Sequence, residues 1–409
     1  MSDMTARYPT LDQHLFGPGP KRILALDGGG VRGALTLSYL EKMEMMLRAR
    51  VGGDPDFRLC HYFDLIGGTS TGSIIAAGLA MGYPVSKLKE LYRSLASSVF
   101  EKPPYRFGVF VPKFAQQPLI DALKQQFDER ALGSEDLRTG LMIMTKRLDT
   151  GSPWPLHNNP KGRYFNERPN SAAIANKHFL LWQIVRASTA APHYFQPERL
   201  SVATDNDGRY VDGAFVDGGV SPSNNPSLQL LMLATLKGFG LEWPLGTGQL
   251  SLVSVGTGDG DDALAADHVM NMTAAETALR ALSALMSDCD AQVRTMMQWL
   301  GELPASKRDD AARQSGAHRI DREIGDLVDD RLGGQKWLSY VRYNATLEGA
   351  WLRDRIKFDI TDGGAASLRA MDDPSNVDLL ERVGARAAEQ QMAETDFPEA
   401  FDLAARAGL

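Results

Sequence analysis

The chain has 409 residues, 43% of them hydrophobic and 23% charged, enough to bury a large core in an ordinary globular protein. Its formal charge of −7 leaves no electrostatic footprint for a nucleic-acid polymer and disfavours charge-driven docking on anionic lipid. The two cysteines, Cys60 and Cys289, lie far apart without zinc-ligand spacing, which fits a reducing, cytoplasmic setting.

Residues 1–20 lack the apolar core of a secretory signal and read as an N-terminal arm, loose or strapped onto the body. Residues 21–27 predict a strand, broken by the glycine run 28–33. Residues 34–50 carry apolar side chains at Leu37, Leu40, Met43 and Leu47, the spacing of an amphipathic helix. A second strand is expected at 62–66, completing a βαβ unit with parallel, neighbouring strands. The glycine run and the turn after the second strand then leave the carboxyl ends of adjacent strands and face one another. Residues 65–83 carry no charge and are long enough to cross a bilayer, but five glycines with Thr69, Ser70, Thr71 and Ser73 read better as strand, turn and buried helix.

Helices are expected at 85–100 and 119–127, with a Pro- and aromatic-rich loop between them. A strand is expected at 140–145, an irregular stretch at 150–160, and a helix at 180–187. A strand within 210–219 ends in an Asp-Gly-Gly turn. A helix at 226–237 and a buried strand at 249–255 follow. Alternating strands and helices of this kind mean an α/β fold with a mostly parallel sheet. Beyond residue 260 the composition shifts: Ala- and Met-rich helix at 266–300, a charged stretch at 309–330, strand within 337–358 and helix at 374–408.

The chemistry concentrates in Gly68-Thr69-Ser70-Thr71-Gly72, a G-x-S-x-G run in which small flanking residues let the chain bend sharply and leave the serine hydroxyl open. Gly28-x-Gly30-x-x-Gly33 satisfies the dinucleotide fingerprint literally, with Asp54 and Asp56 about twenty residues on. Those acids fall in a turn and not at a strand end. A nest of glycine N–H groups facing a serine reads better as an oxyanion hole.

A serine nucleophile needs a base. His268 and His318 lie in solvated-looking sequence, and His193 stands among aromatics. Asp217 ends a strand and is followed by Gly218 and Gly219, which leave its carboxylate open; Asp212, in a similar turn, is its rival. An aspartate titrating near its ordinary value of about 3.9 is a weak base, so this role requires partial desolvation.

Taken together, Asp27 to Gly33, Gly68 to Gly72 and Asp217 to Gly219 resemble the oxyanion loop, serine motif and acid motif of the patatin-like phospholipases. The resemblance covers about residues 22–258 and includes the blocks 186–192 and 224–226. The Asn224-Asn225-Pro226 spacing favours Asp217 over Asp212. It implies a patatin-like three-layer α/β fold with a mostly parallel central sheet and a largely helical C-terminal region. It further implies a Ser70–Asp217 dyad without histidine, an oxyanion hole of Gly28, Gly29 and Gly30, and support from Arg32, Gly33, Gly68, Gly72, Gly218 and Gly219. No metal or cofactor is implied.

The expected activity is phospholipase A-type hydrolysis of fatty-acyl esters of membrane lipids by a cytoplasmic protein touching the membrane peripherally. Arg32 steadies the loop, meets a lipid phosphate or pairs with a surface carboxylate. The expected domains are the arm (1–20), a catalytic domain (21–260) and a mainly helical cap or regulatory region (261–409). Competing readings are an esterase or thioesterase on soluble acyl groups, an effector switched on by a small molecule such as a cyclic nucleotide, as some patatin-like proteins of bacterial anti-phage systems are, and a nucleotide-binding module without catalysis.

Overall fold

The computed structural model describes residues 7–99, 113–260, 263–304, 307 and 327–403. Most of the expected loop at 102–118, most of the charged stretch at 309–330, His318 and residues 404–408 of the last expected helix lie outside them; within them that helix already ends at Gln391.

Among the described residues the body is one nine-stranded sheet. Its strands are β1 (Lys21–Leu26), β2 (Leu65–Thr69), β3 (Gly140–Arg147), β4 (Ser152–His157), β5 (Glu198–Thr204), β6 (Tyr210–Asp217), β7 (Leu250–Val255), β8 (Gly301–Glu302) and β9 (Leu338–Tyr343). The run β3-β2-β1-β7-β9-β8 is parallel throughout. Helix Gly33–Arg50 crosses from β1 to its parallel neighbour β2, the expected βαβ unit.

The central strands are buried along their whole length, as a doubly covered sheet requires, and successive side chains alternate between two cores. Leu24, Leu26, Val253, Val255, Val341 and Tyr343 join one core. Ile23, Ala25, Leu250, Leu252, Leu338 and Tyr340 join the other. Helices Gly33–Arg50, Thr71–Ala80 and Val377–Gln391 contribute to the first, and helices Leu11–Phe16 and Ser227–Thr235 to the second. The result is a three-layer α/β fold.

Other segments also differ from expectation. β2 begins at Leu65, because 59–62 form a helical turn and the buried Asp64 is used as an anchor. Its carboxylate takes the Arg22 N–H at 2.8 Å and pairs with His14 Nδ1 at 2.7 Å. The N-terminal arm is therefore strapped down, through a helix capped by Thr10 with His14 and Leu15 buried. Residues 152–157 are a strand where irregular chain was expected; Pro153 and Pro155 are tolerated because β4 is an edge strand on β3. β5 gave no clear sequence signal. Finally, the sheet crosses the boundary expected at residue 260, since β9 pairs with β7 and helix Val377–Gln391 packs on helix Gly33–Arg50.

Candidate active site

Strand registry brings two distant segments together. β4 occupies one edge of β3 over its last six residues, pairing from Met142 to Arg147. β2 and β6 must then share the other edge, β2 alongside 140–144 and β6, antiparallel, alongside 145–147. Their carboxyl ends meet tip to tip: Thr69 lies beside Met144 and Asp217 beside Thr145, one strand residue or about 3.4 Å apart along the ladder.

Ser70 follows Thr69 and is half-buried, with φ 52° and ψ −126°, a conformation that is strained for a residue with a Cβ. It immediately precedes the buried helix Thr71–Ala80, so the positive end of the helix dipole lies beside its hydroxyl. Close packing holds the turn, for a Cβ on Gly72 would overlap the Leu26 carbonyl and stand 2.7 Å from that of Asp27. The Ser70 N–H donates to Ser188 Oγ at 2.9 Å, and Ser188 donates in turn to the Met144 carbonyl at 2.7 Å. Two residues later the Ala190 carbonyl accepts the Asp217 N–H at 3.0 Å. The 188–190 segment thus fixes the backbone of both Ser70 and Asp217.

Asp217 is 4% exposed. Its Oδ1 accepts the Gly219 N–H at 2.7 Å. Burial pushes its pKa up to about 6, although the Ser70 hydroxyl, the Gly219 N–H and the buried Arg186 charge all favour the ionised form. No histidine is among these influences. His268 and His193 are exposed, on a short helix and a loop. Asp212 is also exposed, accepting from Ser201 Oγ at 2.8 Å and pairing with Arg199 at 3.2 Å, which lowers its pKa. The rival acid therefore faces solvent, while Asp217 faces the serine.

The glycine loop lies against the same turn: a Cβ on Gly28 would stand 3.0 Å from Ser70 Cβ. The three expected donors differ in availability. The Gly28 N–H already donates to the Asn224 carbonyl at 3.2 Å. Among the described residues, the Gly29 and Gly30 N–H groups have no hydrogen-bond acceptor. Gly30 has φ +58°, a left-handed conformation that a β-carbon disfavours. Arg32 is half-buried and its Nε donates to the Gly29 carbonyl at 3.4 Å, so it braces the loop. Gly33, Gly68, Gly72, Gly218 and Gly219 are all buried where chain packs on chain.

Asp54, the acid a dinucleotide site would use, pairs with Arg7 at 3.0 Å and accepts from the Tyr8 hydroxyl. It holds the N-terminal arm at a different turn. Among the described residues no cluster of His, Cys, Asp or Glu could hold a metal ion.

A family model described as "Patatin-like phospholipase" matches residues 24–231, just over half of the chain. The chain belongs to the patatin-like phospholipase family. Its sequence is 32% identical over 216 residues to a protein named cGAMP-activated phospholipase from Vibrio cholerae serotype O1 (strain ATCC 39315 / El Tor Inaba N16961), covering 50% of this chain and 55% of that one. It is 31% identical over 217 residues to a protein of the same name from Escherichia coli (strain TW11681), covering 50% and 53%. It is 28% identical over 245 residues to Patatin-15 of Solanum tuberosum, covering 58% and 60%. The chain thus spans little more than half the length of the relatives it matches.

Within the patatin-like domain, Ser188 and Asn224 carry no local sequence signal of their task. Both lie in blocks that resemble the family's, which is a signal of importance but not of role. Ser188 ties Ser70 to β3, and Asn224 holds the glycine loop through its backbone carbonyl and, at 3.4 Å, its Nδ2 on the Gly28 carbonyl.

Proposed function

We propose that this chain is a lipid acyl hydrolase of phospholipase A type, working through a Ser70–Asp217 dyad. The observation that supports it most is the tip-to-tip meeting of β2 and β6, which sets a strained serine against a buried, electron-rich carboxylate. Ionised Asp217 takes the Ser70 proton as Oγ attacks the ester carbonyl. The Gly29 and Gly30 N–H groups, aided by the helix dipole behind Ser70, receive the developing oxyanion. Asp217 then returns the proton to the departing alcohol, leaving an acyl-serine. Water, deprotonated by Asp217, attacks the acyl-serine and releases the fatty acid and free Ser70.

Among the described residues no helix is long and apolar enough to cross a membrane, which fits peripheral contact with a lipid surface. In this reading residues 21–260 carry the chemistry and the remainder completes or regulates the domain.

The test combines phospholipid vesicles, a short-chain p-nitrophenyl ester and a fluorophosphonate probe mapped by mass spectrometry. Wild type turns over lipid and is labelled on Ser70, whereas Ser70→Ala loses both while keeping its circular dichroism. His268→Gln retains full activity. Labelling at another residue, or turnover by Ser70→Ala, refutes the dyad. Activity confined to soluble esters or acyl-CoA would make the chain an esterase or thioesterase instead.

A second reading is favoured by the names of two relatives: a cyclic dinucleotide switches the hydrolase on. Vesicle hydrolysis measured with and without cGAMP separates the two, since a constitutive enzyme shows no change.

A further inference from the structure

The glycine loop is held at both ends by residues beyond the family match. At its start, Asp27 is 4% exposed and receives both terminal nitrogens of Arg342, Nη2 at 2.6 Å and Nη1 at 3.3 Å. Arg342 also donates to Ser254 Oγ at 2.6 Å. The registry explains the reach: Arg342 on β9 lies beside Ser254 on β7, which lies beside Ala25 on β1, two residues before Asp27. At the loop's end the Val31 N–H donates to the Met371 carbonyl at 2.9 Å, and a Cβ on Gly30 would overlap that carbonyl. Between the two clamps lie Gly28, Gly29 and Gly30.

We infer that Arg342 is a positioning residue for the oxyanion loop, holding Asp27 so that the Gly29 and Gly30 N–H groups stay aimed at the Ser70 turn. The inference rests on the hydrolase reading and deepens it. Three successive glycines have more backbone freedom than any other tripeptide, so the loop cannot aim its own donors. Donors stabilise an oxyanion only when fixed beforehand, and a displacement of about 1 Å can cost roughly 10²-fold in rate. A planar guanidinium binding a carboxylate through two nitrogens fixes both position and angle; a lysine ammonium fixes neither so well.

A buried ion pair that loses one partner also destabilises the fold, so stability and positioning must be separated. Four proteins suffice: wild type, Arg342→Met, Arg342→Lys and the double variant Asp27→Asn/Arg342→Met. In Arg342→Met, kcat falls roughly 10²-fold with KM changed less than about threefold, because the lost interaction serves the transition state. Hydrogen exchange of the 28–31 amides, read by mass spectrometry, speeds up in the same variant. Arg342→Lys falls between it and wild type. The double variant, with no orphaned carboxylate, recovers its Tm but not its kcat.

If kcat recovers together with Tm in the double variant, Arg342 is only structural and the inference fails. It fails equally if Arg342→Met keeps wild-type kcat and wild-type loop exchange. Should Arg342→Met not fold, Arg342→Lys and the double variant carry the same comparison. A wild type that, with and without cGAMP, neither turns over ester nor is labelled on Ser70 refutes the hydrolase reading itself, a result distinct from either failure, and the exchange measurement still reads the clamp.

Discussion

A buried, ionised carboxylate such as Asp217 is held against its own solvation. Burial raises Asp217 to about 6 from an ordinary value of 3.8, so it is a stronger base than a surface aspartate and is still ionised at neutral pH. As the base it must be unprotonated, so kcat/KM should climb with pH through a limb near 6 and level above it. A limb near 4, or near 7 with loss on histidine substitution, would argue for another base. The stability consequence has the opposite direction. The folded state binds this proton more tightly than the unfolded chain, so the group's contribution falls as pH rises from about 4 to 6 and remains unfavourable above. Asp217→Asn should therefore be inactive yet more stable at pH 8, by up to about 3 kcal/mol, as read from denaturant midpoints. At this scale the sequence was informative: small residues flanking Ser70 and a strand-end Asp217 each declare themselves locally. Arg342 did not, because nothing near it in the chain marks the partner it meets across two strands.

Between strand and helix, the Ser70 turn depends on how closely helix Thr71–Ala80 approaches the end of β1. Gly72 has no room for even one added carbon, and the atoms in its way are backbone carbonyls that cannot rotate aside. Gly72→Ala should lower stability by about 2–4 kcal/mol and weaken turnover beyond what the lost stability explains. Thermal unfolding and ester hydrolysis on the residual folded fraction would check both; near-wild-type values would mean that the turn relaxes easily. Most elements were legible from local cues: β1 and β7 are short apolar runs, and helix Gly33–Arg50 carries Leu37, Leu40, Met43 and Leu47 at helical spacing. β4 and β5 were not: proline at 153 and 155 imitates a loop, and edge strands with half-exposed faces lack a continuous apolar run.

For the molecule as a whole, the last third is part of the same sheet. β9 covers the edge of β7, and helix Val377–Gln391 presses so closely on helix Gly33–Arg50 that a Cβ on Gly384 would stand 2.7 Å from the Leu35 carbonyl. A chain stopped after residue 260 would bare the β7 edge, the apolar face of helix Gly33–Arg50 and the carboxylate of Asp27. It should be recovered insoluble or without cooperative unfolding; a soluble, cooperatively melting fragment would show that the first part folds alone. Composition changes after residue 260, but composition reports what a segment is made of and not what it packs on.

At the start of β1 and β2, residues far apart in sequence converge on one ion pair, Arg22–Asp64. Asp64 grips His14 of the arm and Arg22 of β1, while Arg22 Nη1 reaches the Phe401 carbonyl at 2.9 Å. Tugging on either tail, as a fused tag or an immobilising tether would, transmits force straight to the roots of the two strands bearing the glycine loop and Ser70. Attachment through an internal exposed turn, such as 206–208, would spare them.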